Sequence, residues 1–473
     1  MSTEETPLLG NALESTPVRK HDVVYNRFSN ASKWRILVLV SFNGLIPFFV
    51  GGTFVPSIPQ IAREFNTTGA VVNLAVGLSI IAMALGALTW ATYAGFYGRR
   101  PVYLAALPIL TVGSLGVSTA RSIPELMVWR FIQAFGSGAG VSLGAGVIAD
   151  IYRLEERGRA MGIFFGACLL GPALAPPLGG LAAHMSSWRA MQGALCVAGV
   201  VQLVSVYSFL PETSQPHSRG IDKLRDEDRR EGVPPRKCWF VLNPFKSLTL
   251  LRSPNILAVT IVATCILISD YLMLIPLSYT IGNRYNIHNE ALIGLFFLPA
   301  GVGNALGAPL AGRMSDTILT KWKRQRGDIW VPEDRLRASI FGMLVLVPIP
   351  MAVSGAATRY VSGTPGIVIN LVCLFINGVG VDFSMTPMAA YIVDVLHAQS
   401  AEAMAATQSS RSVFIALTVA GMLPLIEKIG VLATYALSAT VIWASYGLLW
   451  CTIRYGDRMR AWTDVGYSTS VDN

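Results

Sequence analysis

Twelve apolar runs, each about 20 residues long, restrict what this chain can fold into. A helix needs roughly that length to cross about 30 Å of hydrocarbon. Strands of a membrane barrel would be shorter and would alternate apolar with polar residues, so the runs predict helices. The predicted spans are residues 35–57, 70–95, 101–120, 125–150, 159–183, 188–210, 254–280, 290–312, 336–357, 366–393, 403–425 and 431–453.

Composition and charge agree with a membrane protein. The 473 residues are 52% hydrophobic and 14% charged, whereas soluble proteins carry about 25% charged residues. The net charge is +9, and with both termini in the cytoplasm only six of the 37 Lys and Arg fall in outer loops. This bias towards inner loops indicates that orientation. No solvated basic face with aromatic platforms is found, so we expect no nucleic-acid partner.

The reactive side chains do not cluster in the sequence. The six Cys and five His are scattered without metal-ligand or disulfide spacing. No phosphate-binding Walker loop is present, so ATP is not expected to drive this protein. The sequence therefore predicts no enzyme activity, no metal and no cofactor.

The spans are arranged as two groups of six around a polar connector. The tetrapeptide ALGA occurs at 84–87 and again at 305–308, each time in the second span of its group. This repeat predicts an all-α membrane protein of two pseudo-symmetric six-helix bundles. The predicted organisation is a cytoplasmic N-terminal tail (1–33), an N-terminal bundle (34–210), a cytoplasmic linker (211–253), a C-terminal bundle (254–453) and a cytoplasmic C-terminal tail (454–473).

Three ionisable residues stand well inside predicted spans: Arg130, Asp270 and Asp382. Arg411 also lies within a predicted span, and we expect it to reach the cytoplasmic surface. A charge inside the membrane costs roughly 2.5–3.5 kcal/mol even on the lenient insertion scale, so such residues usually mark a transport pathway. A low-dielectric cavity disfavours the charged form of a carboxylate, which suits it to bind and release a proton. Gln133 lies one helical turn from Arg130 and shares its face.

Several motifs carry a resemblance to a known family. They are YGRRP at 97–101, RFIQAFGSGAG at 130–140, LPET at 210–213, and the glycine-rich and proline-rich GPALAPPLGG at 171–180. Through them the chain resembles the major facilitator superfamily over nearly its whole length. The blocks NPFKSLTLLRSPNI (243–256), PEDRLRAS (332–339) and YIVD (391–394) are similar to the fungal twelve-span drug:proton antiporters in particular.

The resemblance implies a transporter that works by alternating access, with its cavity lined by spans 1, 4, 7 and 10. It also implies that the smooth, proline-bent fifth span lies between the halves, where small residues permit close approach. The implied proton-coupling and cavity residues are Arg130, Gln133, Asp270, Asp382, Asn43, Tyr271 and Asn377; the implied antiporter motif is Gly162, Gly171, Pro172, Pro176, Gly179 and Gly180.

Charged residues at the cytoplasmic ends of the spans are expected to form ion pairs that close an inner gate. Gly95 departs from the family pattern, which has Asp in this loop, while Asp316 occupies the corresponding position of the second half. Ala134 and Ala175 replace motif glycines. The expected gate residues are Arg99, Arg100, Asp150, Arg157, Arg159, Asp316 and Asp394.

The sequence thus predicts proton-driven export of a small organic molecule, such as a drug, an organic acid or a secondary metabolite. A proton-coupled importer and a transporter-like receptor are the alternatives. The acids suit a cationic substrate, whereas Arg130 suits an anionic one. We expect a monomer in the plasma membrane or in an internal membrane such as that of the vacuole. Asn66 begins a glycosylation sequon in the first outer loop.

Overall fold

The computed structural model describes residues 27–152, 154–214, 219–231, 242–287, 289–327, 329, 331–396 and 400–462. In this part of the chain twelve helices are long and apolar enough to cross a membrane, which confirms the predicted number of spans. The N-terminal half has span 1 (Asn30–Gly52, the 3-10 turn Val55–Ser57, Ile58–Glu64), span 2 (Gly69–Tyr97), span 3 (Arg99–Thr119), span 4 (Ile123–Ser137, Ala139–Ile151), span 5 (Leu154–Met185) and span 6 (Trp188–Phe209).

A short helix, Gly220–Glu231, and a 3-10 helix, Pro244–Arg252, follow in the linker. The C-terminal half has span 7 (Pro254–Leu274, with a π turn at Ser278–Gly282), span 8 (Glu290–Leu295, Leu298–Gln325), span 9 (the 3-10 helix Pro332–Ala338, Ser339–Phe341, the π turn Gly342–Leu346, Pro348–Tyr360), span 10 (Thr364–Val395), span 11 (Ser400–Ile429) and span 12 (Val431–Trp462). The last helix continues nine residues beyond the predicted end of its span.

Helix packing repeats between the two halves. In the first half span 1 packs on span 5, span 2 on span 4, and span 3 on spans 4 and 6. In the second half span 7 packs on span 11, span 8 on span 10, and span 9 on spans 10 and 12. The halves meet where span 2 packs on span 11 and span 5 on span 8. A pseudo-two-fold axis relates these two contacts between the halves, which we call seams, as in transporters built from repeats.

We call the end of the molecule that carries helix Gly220–Glu231 the linker end, and the opposite end the distal end. At the distal end the seam between spans 2 and 11 is tight. The Asn73 side-chain amide, which is fully buried, donates to the carbonyl oxygen of Val419. A Cβ added to Gly77 would lie 2.9 Å from the carbonyl oxygen of Ala416. The two halves are therefore in direct backbone contact here.

An apolar cluster fills the distal end and includes residues of both halves. Phe54 and Val72 of the first half belong to it together with Leu277, Ile415 and Leu423 of the second. Two further clusters lie each within one half. The contact between halves at the distal end is thus held by apolar burial, which is strong but not directional.

Candidate functional site

Two acids predicted for the cavity lie on neighbouring helices of the second half, Asp270 in span 7 and Asp382 in span 10. The side-chain amide of Asn377, which is fully buried, donates to the carboxylate of Asp270 at 3.3 Å. Asp382, which is half-buried, points towards span 8, where a Cβ added to Gly307 would lie 3.3 Å from its Cβ. The two carboxylates repel each other electrostatically. The structure therefore joins Asp270, Asn377 and Asp382 into one site between spans 7, 8 and 10.

This acidic site has oxygen atoms without partners. Among the described residues, Oδ2 of Asp382, Oδ1 of Asn377 and Oδ1 of Asn304 are buried and accept no hydrogen bond. Buried polar atoms are normally paired, so each such atom requires an explanation. Oxygen acceptors around two carboxyl groups are suited to a proton or to a substrate that donates hydrogen bonds.

Arg130 has a different environment, inside the first half. Its side chain is fully buried, and Nη1 donates at 2.9 Å to the carbonyl oxygen of Val50 and to Oε1 of Gln133. The guanidinium also lies over the Phe54 ring, 4.2 Å from its centroid. Neither acid of the second half is among the partners described for Arg130. Arg130 is therefore held by contacts within the first half in this conformation.

Gln133 extends the Arg130 network across three spans. Its amide nitrogen donates to the hydroxyl of Ser114 at 3.0 Å and to Oε1 of Gln192 at 2.9 Å. All three side chains are buried. The network stabilises spans 3, 4 and 6 against one another, and the sequence motif around Arg130 gave no indication of Ser114 or Gln192.

The remaining predicted cavity residues occupy separate places. Asn43 is buried and donates to the carbonyl oxygen of Leu39 in its own helix. Tyr271, next to Asp270 in the chain, is half-buried and lies within electrostatic range of Arg411 in span 11. Asn66 turns the chain at the distal end with a positive φ of 48°, which asparagine tolerates better than most residues.

The glycine-rich and proline-rich motif lies in one continuous helix, Leu154–Met185. A Cβ at Gly171 would collide with Phe48, and one at Gly179 would collide with the backbone of Thr53. These glycines therefore bring span 1 close rather than the opposite half. Gly162 and Pro172 lie in the same helix, and Gly180 is buried in it.

Contact with the opposite half comes from the prolines of the motif. A Cβ at Gly294 in span 8 would lie 2.6 Å from the carbonyl oxygen of Pro176 and 3.0 Å from Cα of Pro177. Further along, Gly301 lies against the backbone of Ala173. One face of span 5 thus packs on its own half while the other face packs on span 8.

At the linker end of the first half, Arg99 pairs with Asp150 at 2.9 Å. Glu212 accepts a hydrogen bond at 3.0 Å from the backbone N–H of Arg99. Arg100 donates to the carbonyl oxygen of Tyr207 at 2.9 Å. The side chains of Arg157 and Arg159 lie outside the described part of the chain.

The second half has a matching group at the same end. Arg335 pairs with Asp316 at 3.1 Å and with Asp394 at 2.7 Å. Each of these ion pairs lies within one half in this conformation. Contact between the halves is instead tightest at the distal end, which leaves the linker-end charges to pair within their own bundles.

Sequence reasoning missed three residues of these sites. Glu212 belongs to the LPET motif and Arg335 to PEDRLRAS, but neither motif indicated which residues these two side chains contact. Arg411 was expected to reach the cytoplasmic surface. It is instead buried, and it donates at 2.5 Å to the side chain of Gln408.

Known proteins resemble this chain in sequence and in fold. MFS antiporter QDR3 of Candida albicans is 22% identical over 93% of this chain and 80% of its own length. Citrate exporter 1 of Aspergillus niger is 26% identical over 67% of this chain and 62% of its own length. Among solved structures, an inward-facing bacterial homologue of the human lysosomal transporter Spinster has a TM-score of 0.65 at 14% identity, covering 93% of this chain and all of that one.

The family model described as Major Facilitator Superfamily matches residues 40–419, which is most of the chain. The twelve spans, the exchange of helix pairs between two halves and the motifs agree with that match. The relatives are transporters and not enzymes. The chain therefore belongs to the major facilitator superfamily.

Proposed function

We propose that this protein exports a small organic molecule in exchange for protons, by alternating access, and that Asp270 and Asp382 carry the protons. The observation that carries the proposal is the acidic site of Asp270, Asn377 and Asp382, with its buried oxygens that lack donors. No covalent chemistry is required, and the proton gradient supplies the energy.

The acidic site suits proton exchange for an electrostatic reason. Two carboxylates that repel each other in a low-dielectric interior are stabilised when one of them binds a proton. A substrate that donates to the same oxygens competes with that proton. Competition for one site is what exchange requires, because the protein then carries either the proton or the substrate through the membrane, but not both.

The seams between the halves support alternating access. The distal end is closed by contacts such as Asn73 with Val419 and Gly294 with Pro176. The linker-end ion pairs lie within the halves, so they do not oppose separation there. Rocking of one half against the other would open the distal end and close the linker end. The charge bias supports a cytoplasmic position for the linker end.

The direction of transport rests on the relatives and on span 5. An antiporter and a citrate exporter are among the similar proteins, and the motif of span 5 resembles that of antiporters. We place the protein in the plasma membrane, where export removes the compound from the cell.

The test is to express the full chain in yeast and to compare internal small molecules by mass spectrometry with and without the protein. Tetraphenylphosphonium, citrate and phenylalanine are added as probes, and a protonophore is used to collapse the gradient. We expect at least one compound to be depleted in expressing cells and its depletion to disappear with the protonophore. Asp270→Asn should abolish the depletion, whereas Arg359→Gln, at an exposed position of the distal end, should preserve it.

Two results would contradict the proposal. Depletion that persists after the gradient collapses would exclude proton exchange. Higher internal concentrations in expressing cells would show an importer on the same fold.

A further inference from the structure

Arg411 is a buried cation that the proposed proton exchange does not use. Its side chain is 6% exposed and lies inside span 11. A charge at such a depth is costly and usually functional. One nitrogen, Nη2, donates to Oε1 of Gln408 at 2.5 Å. In the described part of the chain its Nε has no hydrogen-bond partner.

Helix geometry places Gln408 and Arg411 on the interior side of span 11. Leu417 is 63% exposed and Phe414 is 57% exposed, as expected of side chains that face lipid. Gln408 lies nine residues before Leu417, which is about two and a half turns at 3.6 residues per turn, so the two point in opposite directions. Gln408 is nevertheless exposed. Its exposure is therefore to space inside the protein.

Arg411 adjoins this space through Gln408, whereas Arg130 is enclosed within the first half. Arg130 is fully buried, stacked on Phe54 and hydrogen-bonded within its own half. Arg411 is held by an exposed glutamine, and its buried Nε, like Nε and Nη2 of Arg130, has no hydrogen-bond partner among the described residues. A guanidinium does not lose its proton in proteins, so this positive charge is permanent. Its open donors match a carboxylate or a similar acid group.

Span 11, which carries Arg411, packs on spans 7 and 10, which carry the acidic site. Tyr271 adjoins Asp270 in span 7. The unpartnered oxygens of Asp382 and Asn377 lie in the same site as Asp270. The interior therefore has acceptors and negative charge on spans 7 and 10 and a permanent positive charge on span 11.

We propose that the transported molecule carries both a protonated nitrogen and an acid group, and that Arg411 binds the acid group. This rests on the proposed function, in which the acidic site exchanges a proton for substrate. The protonated nitrogen competes with the proton at Asp270 and Asp382. The acid group binds Arg411 in every cycle and does not take part in that competition. Arg411 then determines specificity by distinguishing zwitterions from simple amines.

Three compounds of similar size separate the two charges: L-phenylalanine, 2-phenylethylamine without the carboxylate, and 3-phenylpropionate without the amine. Binding to the purified full chain is measured at uniform pH as the ligand-dependent rise in Tm. We expect the Kd of phenylalanine to be roughly tenfold or more below that of either other compound, because it makes both charge-assisted contacts.

Variants assign each contact. Arg411→Gln should raise the Kd of phenylalanine and phenylpropionate roughly tenfold or more and leave phenylethylamine unchanged. Asp270→Asn should raise the Kd of phenylalanine and phenylethylamine and leave that of phenylpropionate unchanged. Arg411→Lys keeps the charge without the planar fork of donors, so its Kd for phenylalanine should lie between those of the wild type and of Arg411→Gln. Arg359→Gln makes the same chemical change at the exposed distal end and should alter nothing.

Equal binding of phenylalanine and phenylethylamine to the wild type would overturn the proposal, and this comparison needs no variant to fold. Equal weakening of all three compounds by Arg411→Gln would show a structural role instead. Absence of binding by all three would also reject this substrate class. A pH gradient that fails to drive export would overturn the proposed function and leave the binding order intact, so the two failures are distinguishable.

Discussion

Replacing Asn73 by Asp should open the distal end. The wild-type amide is fully buried and donates to the carbonyl oxygen of Val419 in the other half. Aspartate has the same shape but presents an oxygen to that carbonyl, so the donor is lost and a charge is buried without a partner. Once the distal end opens, water can solvate the charge.

The magnitude follows from these two changes. A buried charge without a partner costs several kcal/mol, even after relaxation. We therefore expect the substitution to destabilise the distal-closed state by about 4 kcal/mol relative to the distal-open state. That is roughly a thousandfold in the equilibrium between distal-closed and distal-open states. A distal-closed population of about 99% would fall to roughly one molecule in ten.

The assay is the spin-label distance across the distal end, between labels at exposed positions 121 and 360 in a chain whose native cysteines are replaced. We expect the distance distribution to move to longer values in Asn73→Asp. Acid that protonates the new carboxyl should reverse the change, because its O–H can donate to Val419. Asn370→Asp is the matched control, since Asn370 is also fully buried but donates to Gly366 in its own helix.

An unchanged distribution in Asn73→Asp would refute the role given to this contact. The same lengthening in Asn370→Asp would show that any buried carboxylate disturbs the distal end, so the argument from a bond between the halves would fail.

Two further changes test other contacts. Gly294→Ala should shift the distal end towards its open state and slow transport. The added Cβ would lie 2.6 Å from a carbonyl oxygen of span 5, and overpacking costs about 1–3 kcal/mol. Gly312→Ala, with open space around it, is the control and should behave as wild type in the same distance and flux measurements. Arg460→Gln should lower the free energy of unfolding by about 3–5 kcal/mol, because it leaves the buried Glu333 carboxylate without its guanidinium. Asp457→Asn, at a side chain 80% exposed, should change the free energy of unfolding by less than about 0.5 kcal/mol. Thermal unfolding measures both.

The sequence was sufficient for the spans because length and hydropathy alone decide them. It did not predict the interruptions within them. Span 4 is broken at Gly138, where a Cβ would press on the backbone of Ala87 in span 2. Span 8 is interrupted between Leu295 and Leu298. The close approach at Gly138 involves a distant part of the chain, about which a local apolar pattern carries no information. The second segment of span 8 instead has Pro299 in its first turn, a position that favours the start of a helix.

The candidate site was predicted in part for a similar reason. Hydropathy marks an ionisable residue in a span, so Asp270 and Asp382 could be identified. Their common site could not, because it depends on the hydrogen bond from Asn377 and on the close approach of spans 8 and 10. Arg411 was identifiable as a charge in a span, but whether it faced the interior or the surface depended on the neighbouring helices.

The linker end shows how far the two halves remain equivalent. Arg99 begins span 3 and pairs with Asp150 at the end of span 4. Arg335, at the start of span 9, pairs with Asp394 at the end of span 10. The pseudo-symmetry therefore extends from the helices to these two ion pairs, although the sequences around them differ.

A third charge distinguishes the halves. Asp316 of span 8 also pairs with Arg335, while Gly95 occupies the corresponding position of span 2 and has open space where a Cβ would be. Arg335 thus lies between two carboxylates, and its pairing survives the loss of either one. Arg99 pairs with Asp150, and its backbone N–H donates to Glu212. When the halves rock together at this end, the Arg99 side chain is accordingly the easier of the two arginines to recruit into a contact between the halves, because fewer ionic contacts must break first.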